Sequence, residues 1–143
     1  ACCYTNPGCT AEQIKPRLRN MVSEKDDVIV LGAGTNNVPR DSVATCINKI
    51  NAMIDETRRV NPNASIILME IPHRYDDASL NSKITKINCF VRHRCSKSDN
   101  LHVLKFDFAD VDYSPDGLHL SHEGKIKMAH SIKNRVLSVT SAR

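Results

Sequence analysis

Short β-branched apolar runs alternate along this chain with longer segments of helical period, and no other feature of the sequence limits the fold as much. Residues 28–31 and 66–71 are bounded by turn residues and read as buried strands, with weaker runs at 2–4 and 101–106. Thr10 and Gln13 form a capping-box pair ahead of Ile14, Leu18 and Val22, in a helix that Pro16 is expected to kink. Asp41 is placed to cap a second helix carrying Val43, Ile47, Ile50 and Ile54, which Asn61, Pro62 and Asn63 end. Leu80, Ile84, Ile87 and Val91 mark a third; a fourth starts after Ser121 and is expected to bury Ala129, Ile132 and Val136. Parallel neighbours need crossover connections of this length. The expected class is therefore α/β, a mainly parallel sheet with helices on both faces, in a single domain over residues 1–143. In such sheets functional groups gather on loops past the carboxyl ends of the strands. Those loops are residues 6–9, 32–37 and 72–74.

Composition narrows the function classes. With 41% hydrophobic and 25% charged residues the chain suits a packed globular domain rather than a disordered or fibrous one. Its net charge of +4 is spread among acids instead of gathered in a block. A nucleic-acid partner would have to use Lys15, Arg17, Arg19, Lys125, Lys127, Lys133 and Arg135, whose field neighbouring acids dilute. Cys2, Cys3, Cys9, Cys46, Cys89 and Cys95 form no repeated C-x-x-C pattern, so no metal site is expected. Reduced thiols and a cytoplasmic setting are expected instead. No apolar run approaches the ~20 residues that span a bilayer. The chain begins at Ala1 rather than Met, and sequence upstream of it is expected.

Residues 113–121, Tyr-Ser-Pro-Asp-Gly-Leu-His-Leu-Ser, carry the most chemistry. Pro115 and Gly117 mark a turn that brings Asp116 and His119 together ahead of the last helix. A carboxylate there fixes the imidazole tautomer and steadies its charged form, while the other ring nitrogen handles the proton of a nucleophile. Alone, the spacing equally fits a turn Asp and a polar His before a capped helix. Asn36, displayed with Gly34 beyond a buried strand, offers an amide N–H to an anionic intermediate, although Asn is also a common turn residue. Gly8 precedes a helix start, where backbone N–H groups favour negative charge, or simply makes a turn.

In this order and separation the pieces resemble the SGNH (GDSL-like) hydrolase superfamily, across nearly the whole chain. The resemblance implies a flavodoxin-like three-layer αβα fold and serine ester hydrolysis of acetyl or short acyl esters without a cofactor. Gly8 matches the family's oxyanion glycine, Asn36 the asparagine of its Gly-x-Asn-Asp motif, and Asp116 and His119 its acid and base. A narrower likeness rests on the Pro-Gly at 7–8, the Ile-Pro-His-Arg at 71–74, Leu80 with Asn81, and Asp-Gly-Leu-His-Leu-Ser. It is to esterase domains of first-open-reading-frame proteins of animal non-LTR retrotransposons, and in it Arg74 holds a loop or a carboxylate at the sheet edge.

The sequence departs from the family in two places. No Gly-Asp-Ser occurs, so the nucleophile has no assignment; Ser114 and Ser121 read as turn and cap residues, and Cys9 replaces a small residue beside Gly8. The family's first strand and helix, roughly 30 residues, are expected before Ala1. Asn37 stands where the family usually has Asp. In the family's 2-1-3-4-5 sheet the absent strand is central, and the chain, lacking the serine, is by itself expected to be inactive. It is also expected to form a homo-oligomer or to accept a strand from a partner. The alternative is a non-catalytic module of the same fold that binds a partner protein or nucleic acid.

Overall fold

A computed structural model describes residues 22–32 and 35–141, together with Gln13 and Pro16. The expected strand at 2–4, most of the first helix, Gly8, Cys9 and Gly34 lie outside the described residues. Within them the chain runs through β1 (Val28–Leu31), α1 (Val43–Val60), β2 (Ser65–Met69), α2 (Asn81–Ser96), β3 (Leu101–Leu104) and α3 (His122–Ser141). The strands form a parallel sheet in the order β1-β2-β3, with Val28 opposite Ser65 and Met69 opposite Leu104.

Strand alternation divides the core between two faces. Ile29, Leu31, Ile66 and Leu68 point to the side where α1 and α2 supply Ile50, Met53, Ile54, Ile84, Ile87 and Val91. Val28, Val30, Ile67 and Met69 point to the other, against Ile132, Val136 and Val139 of α3. Helices therefore cover both faces, as the sequence pattern implied. β2, central and buried on both sides, is the β-branched run Ser-Ile-Ile-Leu-Met, which exchanges no alternation for its burial.

Details differ from the sequence reading for physical reasons. Ser42, not Asp41, caps α1, its hydroxyl accepting from Thr45 N at 3.1 Å. Asp41 is occupied elsewhere, accepting from Asn37 Nδ2 at 3.0 Å and Lys49 Nζ at 2.8 Å. At the other end of α1, buried Asn61 accepts from Asn63 N and Ala64 N while its amide donates to the Ser23 and Asp26 carbonyls. β2 and β3 each end two residues earlier than expected, at Met69 and Leu104. The inward stripe of α3 runs through Gly124, Ile132, Val136 and Val139, so Ala129, expected inside, is exposed. Ser121 does start that helix, its hydroxyl accepting from Gly124 N at 3.1 Å. Among the described residues Cys89 and Cys95 are free thiols, and no helix is long and apolar enough to cross a membrane.

Candidate active site

The turn after β3 is built before it is chemical. Tyr113 and Leu120 form an antiparallel bridge, Ser114 N donates to His119 O at 2.8 Å, and Gly117 N donates to Ser114 O at 2.9 Å. Gly117 adopts φ +71°, the left-handed region that glycine enters without a Cβ penalty. It also lies against the loop after β2: its carbonyl accepts from Tyr75 N at 2.8 Å and Asp76 N at 3.3 Å. A Cβ there would sit 2.7 Å from Asp76 N. Glycine is required twice over, by conformation and by space.

Within this turn Asp116 uses its two oxygens differently. Oδ1 accepts from Ser114 Oγ at 2.7 Å, Leu118 N at 2.8 Å and His119 N at 2.9 Å. Oδ2 faces His119 Nδ1 at 2.6 Å. The His119 side chain, together with the Leu118 N–H, the Ser114 hydroxyl and the His119 N–H, holds the Asp116 carboxyl well below the usual carboxylate range. An ionised carboxylate only accepts, so Nδ1 carries the hydrogen, and in the neutral ring Nε2 keeps its lone pair. The His119 side chain is 74% exposed, so this nitrogen is reachable from outside. The arrangement can take a proton from a hydroxyl and return it to a leaving group.

Arg74 joins this turn to the loop after β1. Its Nε and Nη2 donate to Asp76 Oδ1 and Oδ2 at 2.9 and 2.6 Å, and its Nη1 donates to Thr35 O at 3.1 Å. The side chain is 9% exposed. Asn81 secures the backbone of Arg74, accepting from its N–H at 2.7 Å and donating to its carbonyl at 2.8 Å. Asp76, one residue beyond Tyr75 in the segment that holds Gly117, thus shares a clamp with the residue preceding Asn36. Asn36 is half-buried in the turn at residues 35–40. Lys83 tightens the same loop by donating to Val38 O and Asp41 O. Asn37, fully buried, braces it through Asp41.

Asp116 and His119 are therefore in contact, Asn36 and Arg74 stand on the same carboxyl-end edge of the sheet, and Gly8 and Gly34 fall outside the described residues. Sequence reasoning missed Asp76 and Tyr113. The i, i+2 spacing of Arg74 and Asp76 was the available signal for the first. Tyr113 is buried, its hydroxyl donates to His73 O at 2.6 Å, and burial, with Tyr75 and Asp112 nearby, pushes its phenol up to about 12. Among the described residues no cluster of three metal-ligating side chains occurs.

Residues 4–125 match the model of the GDSL-like Lipase/Acylhydrolase family. Among solved structures, the chain is similar to a family 3 carbohydrate esterase from Talaromyces cellulolyticus, at 21% identity and a TM-score of 0.75, covering 95% of this chain and 70% of that one. It is likewise similar to an acetyl esterase mutant solved with acetate ion, at 20% identity and a TM-score of 0.76, with the same coverage. A family 3 carbohydrate esterase of Clostridium thermocellum aligns at 22% identity and a TM-score of 0.72, covering 94% of this chain and 69% of that one. At these identities the likeness shows the fold. No curated protein sequence matches the chain.

Proposed function

The chain belongs to the GDSL-like lipase/acylhydrolase family, and from that premise we propose that it forms the oxyanion and acid–base part of an ester hydrolase for acetyl or short acyl esters. The observation that carries the reading is the 2.6 Å contact between Asp116 Oδ2 and His119 Nδ1, which leaves Nε2 exposed as a base. A serine supplied by sequence outside these 143 residues attacks the ester carbonyl as Nε2 takes its proton. Asn36, with the Gly8 backbone N–H, donates to the oxyanion. The imidazolium, steadied by Asp116, protonates the departing alcohol, and water then releases the acyl group by the same steps in reverse. Arg74 positions this machinery through Asp76 and Thr35 without joining the chemistry. The acetyl esterase and carbohydrate esterases of similar fold support a small acyl group.

The second reading, a non-catalytic module of the same fold, is favoured by one observation, the lack of any Gly-Asp-Ser in the sequence. A polyanion partner gains little support, since Lys127 pairs with Asp112 and Arg135 donates to Val103 O. Hydrolysis of p-nitrophenyl acetate by this chain and by one extended upstream separates the two readings. The hydrolase reading expects activity in the extended protein and its loss in His119→Ala. Equal inactivity of the extended protein and its variant leaves the binding module.

A further inference from the structure

A cleft of about 340 Å³ opens between the ends of β2 and β3 and the flank of α2, and its lining includes none of Asn36, Asp116 and His119. Its volume is at the small end of the ~300–1,000 Å³ range of ligand sites. On its floor Glu70 is 7% exposed, gripped by a forked pair from Arg92, whose Nε donates to Oε1 and Nη2 to Oε2 at 3.1 Å. Asn88 is closed off by the Ile71 backbone, accepting from its N–H and donating to its carbonyl, both at 2.9 Å. These contacts make the floor rigid and polar. One wall is aromatic: Phe106 and Phe108 stack at 5.0 Å and 10°, and both are half-buried. The rim carries the exposed His73 ring, which meets Thr85 Oγ1 only at 3.4 Å.

The chemistry of these walls selects a ligand class. Glu70 and Asp107 outnumber the one fixed cation, Arg92, so an anion gains nothing there. Charged, hydroxyl, amide and imidazole side chains along most of the lining disfavour an acyl chain, whose burial would strip them of water. A sugar ring has the complementary form, with C–H faces for an aromatic wall and hydroxyls that both donate to a carboxylate and accept from a guanidinium or imidazole. We propose that this cleft is a saccharide subsite that holds a pyranose of the alcohol part of the ester. Its wall is also the support of the catalytic turn: Tyr75 and Tyr113 line the cleft and pack edge to face at 4.8 Å, and Tyr75 N donates to Gly117 O. The role of the sugar as part of the substrate rests on the ester-hydrolase reading; its binding does not.

The test is an amide NMR titration of the full chain with cellotetraose and xylotetraose, beside octanoate and inorganic phosphate. At least one tetrasaccharide is expected to give saturable shifts at residues 70–75, 85–92 and 106–108, with a Kd in the roughly millimolar range. Phe108→Ala is expected to weaken that binding about tenfold, and His73→Ala, which alters an exposed ring only, by about threefold. No saturable shift with either sugar, cleft shifts with octanoate or phosphate alone, or sugar binding that both variants leave unchanged overturns the proposal. p-Nitrophenyl acetate contains no sugar, so its hydrolysis without saccharide binding sinks the subsite alone. Saccharide binding with no hydrolysis of p-nitrophenyl acetate by the upstream-extended protein sustains the subsite and sinks the hydrolase reading.

Discussion

Replacing Arg74 with Ala removes the side chain that ties two loops of the candidate site together, and the structure sets the size of the effect. The guanidinium makes two bonds to Asp76 and one to Thr35 O, with side-chain exposures of 9% for Arg74 and 27% for Asp76. Breaking a fully buried pair costs about 3–5 kcal/mol, and an exposed pair is worth about 0–1 kcal/mol. Partial access of water to Asp76 places Arg74→Ala between these limits, at about 2–3 kcal/mol. For a chain of this size that is a fall in Tm of about 5–10 °C. Urea unfolding should show a lowered midpoint with unchanged slope. Arg74→Lys should recover less than half of the loss, because an ammonium cannot hold the Asp76 fork and Thr35 O at once. A double-mutant cycle with Asp76→Ala should give a coupling of about 1–2 kcal/mol. An Arg74→Ala loss below about 0.5 kcal/mol, or additive single mutants, refutes the clamp.

Three further outcomes follow from the same geometry. Gly117→Ala strains a φ of +71° and drives a methyl against Asp76 N, so it should cost about 2 kcal/mol or more and shift the Tyr75 and Asp76 amides; an unchanged Tm would deny the docking. Asn37→Asp, which restores the family's usual residue, sets a carboxylate against Asp41 Oδ2, now 3.0 Å from Asn37 Nδ2. It should lower Tm at neutral pH, and much less when combined with Asp41→Asn, which removes the second carboxylate; a loss that Asp41→Asn leaves unchanged would refute the repulsion. Tyr113 has a phenol raised in the folded state. Its contribution to stability is whole below the unfolded value of ~10 and is lost as pH rises towards about 12. Tm followed into alkaline pH should fall more steeply in the parent than in Tyr113→Phe, which keeps the raised Tyr75 phenol; equal slopes would refute the assignment.

Strands and helices were legible where the pattern was local. Residues 28–31 and the run around Ile66 and Ile67 carry β-branched side chains on consecutive positions, bounded by turn residues, as strands covered on both faces do. Ile84, Ile87 and Val91 give the face of α2 directly. Ala129 misled because a small residue fits the helical period without showing which side it faces. Asp41 misled because a cap preference is local, whereas its carboxylate is held by Lys49 from a turn further along. Asp116 and His119 were legible because three residues and a Gly turn suffice to join them. The Arg74 to Thr35 bond and the cleft over Glu70 unite segments dozens of residues apart, and no spacing encodes them. The same holds for Tyr113, whose partner His73 comes from another loop.

The central claim is that Asp116 sets His119 as a base with Nε2 bare, and the tautomer of that ring tests it most directly. Long-range proton–nitrogen correlation on the labelled chain, followed across pH, reports which nitrogen of the neutral ring carries the hydrogen. The account predicts a His119 protonated at Nδ1, the minor form of free histidine, which reverts to the Nε2 form in Asp116→Asn when the amide N–H replaces the accepting oxygen. An Nε2-protonated His119 in the parent, or a tautomer that Asp116→Asn leaves unmoved, contradicts it.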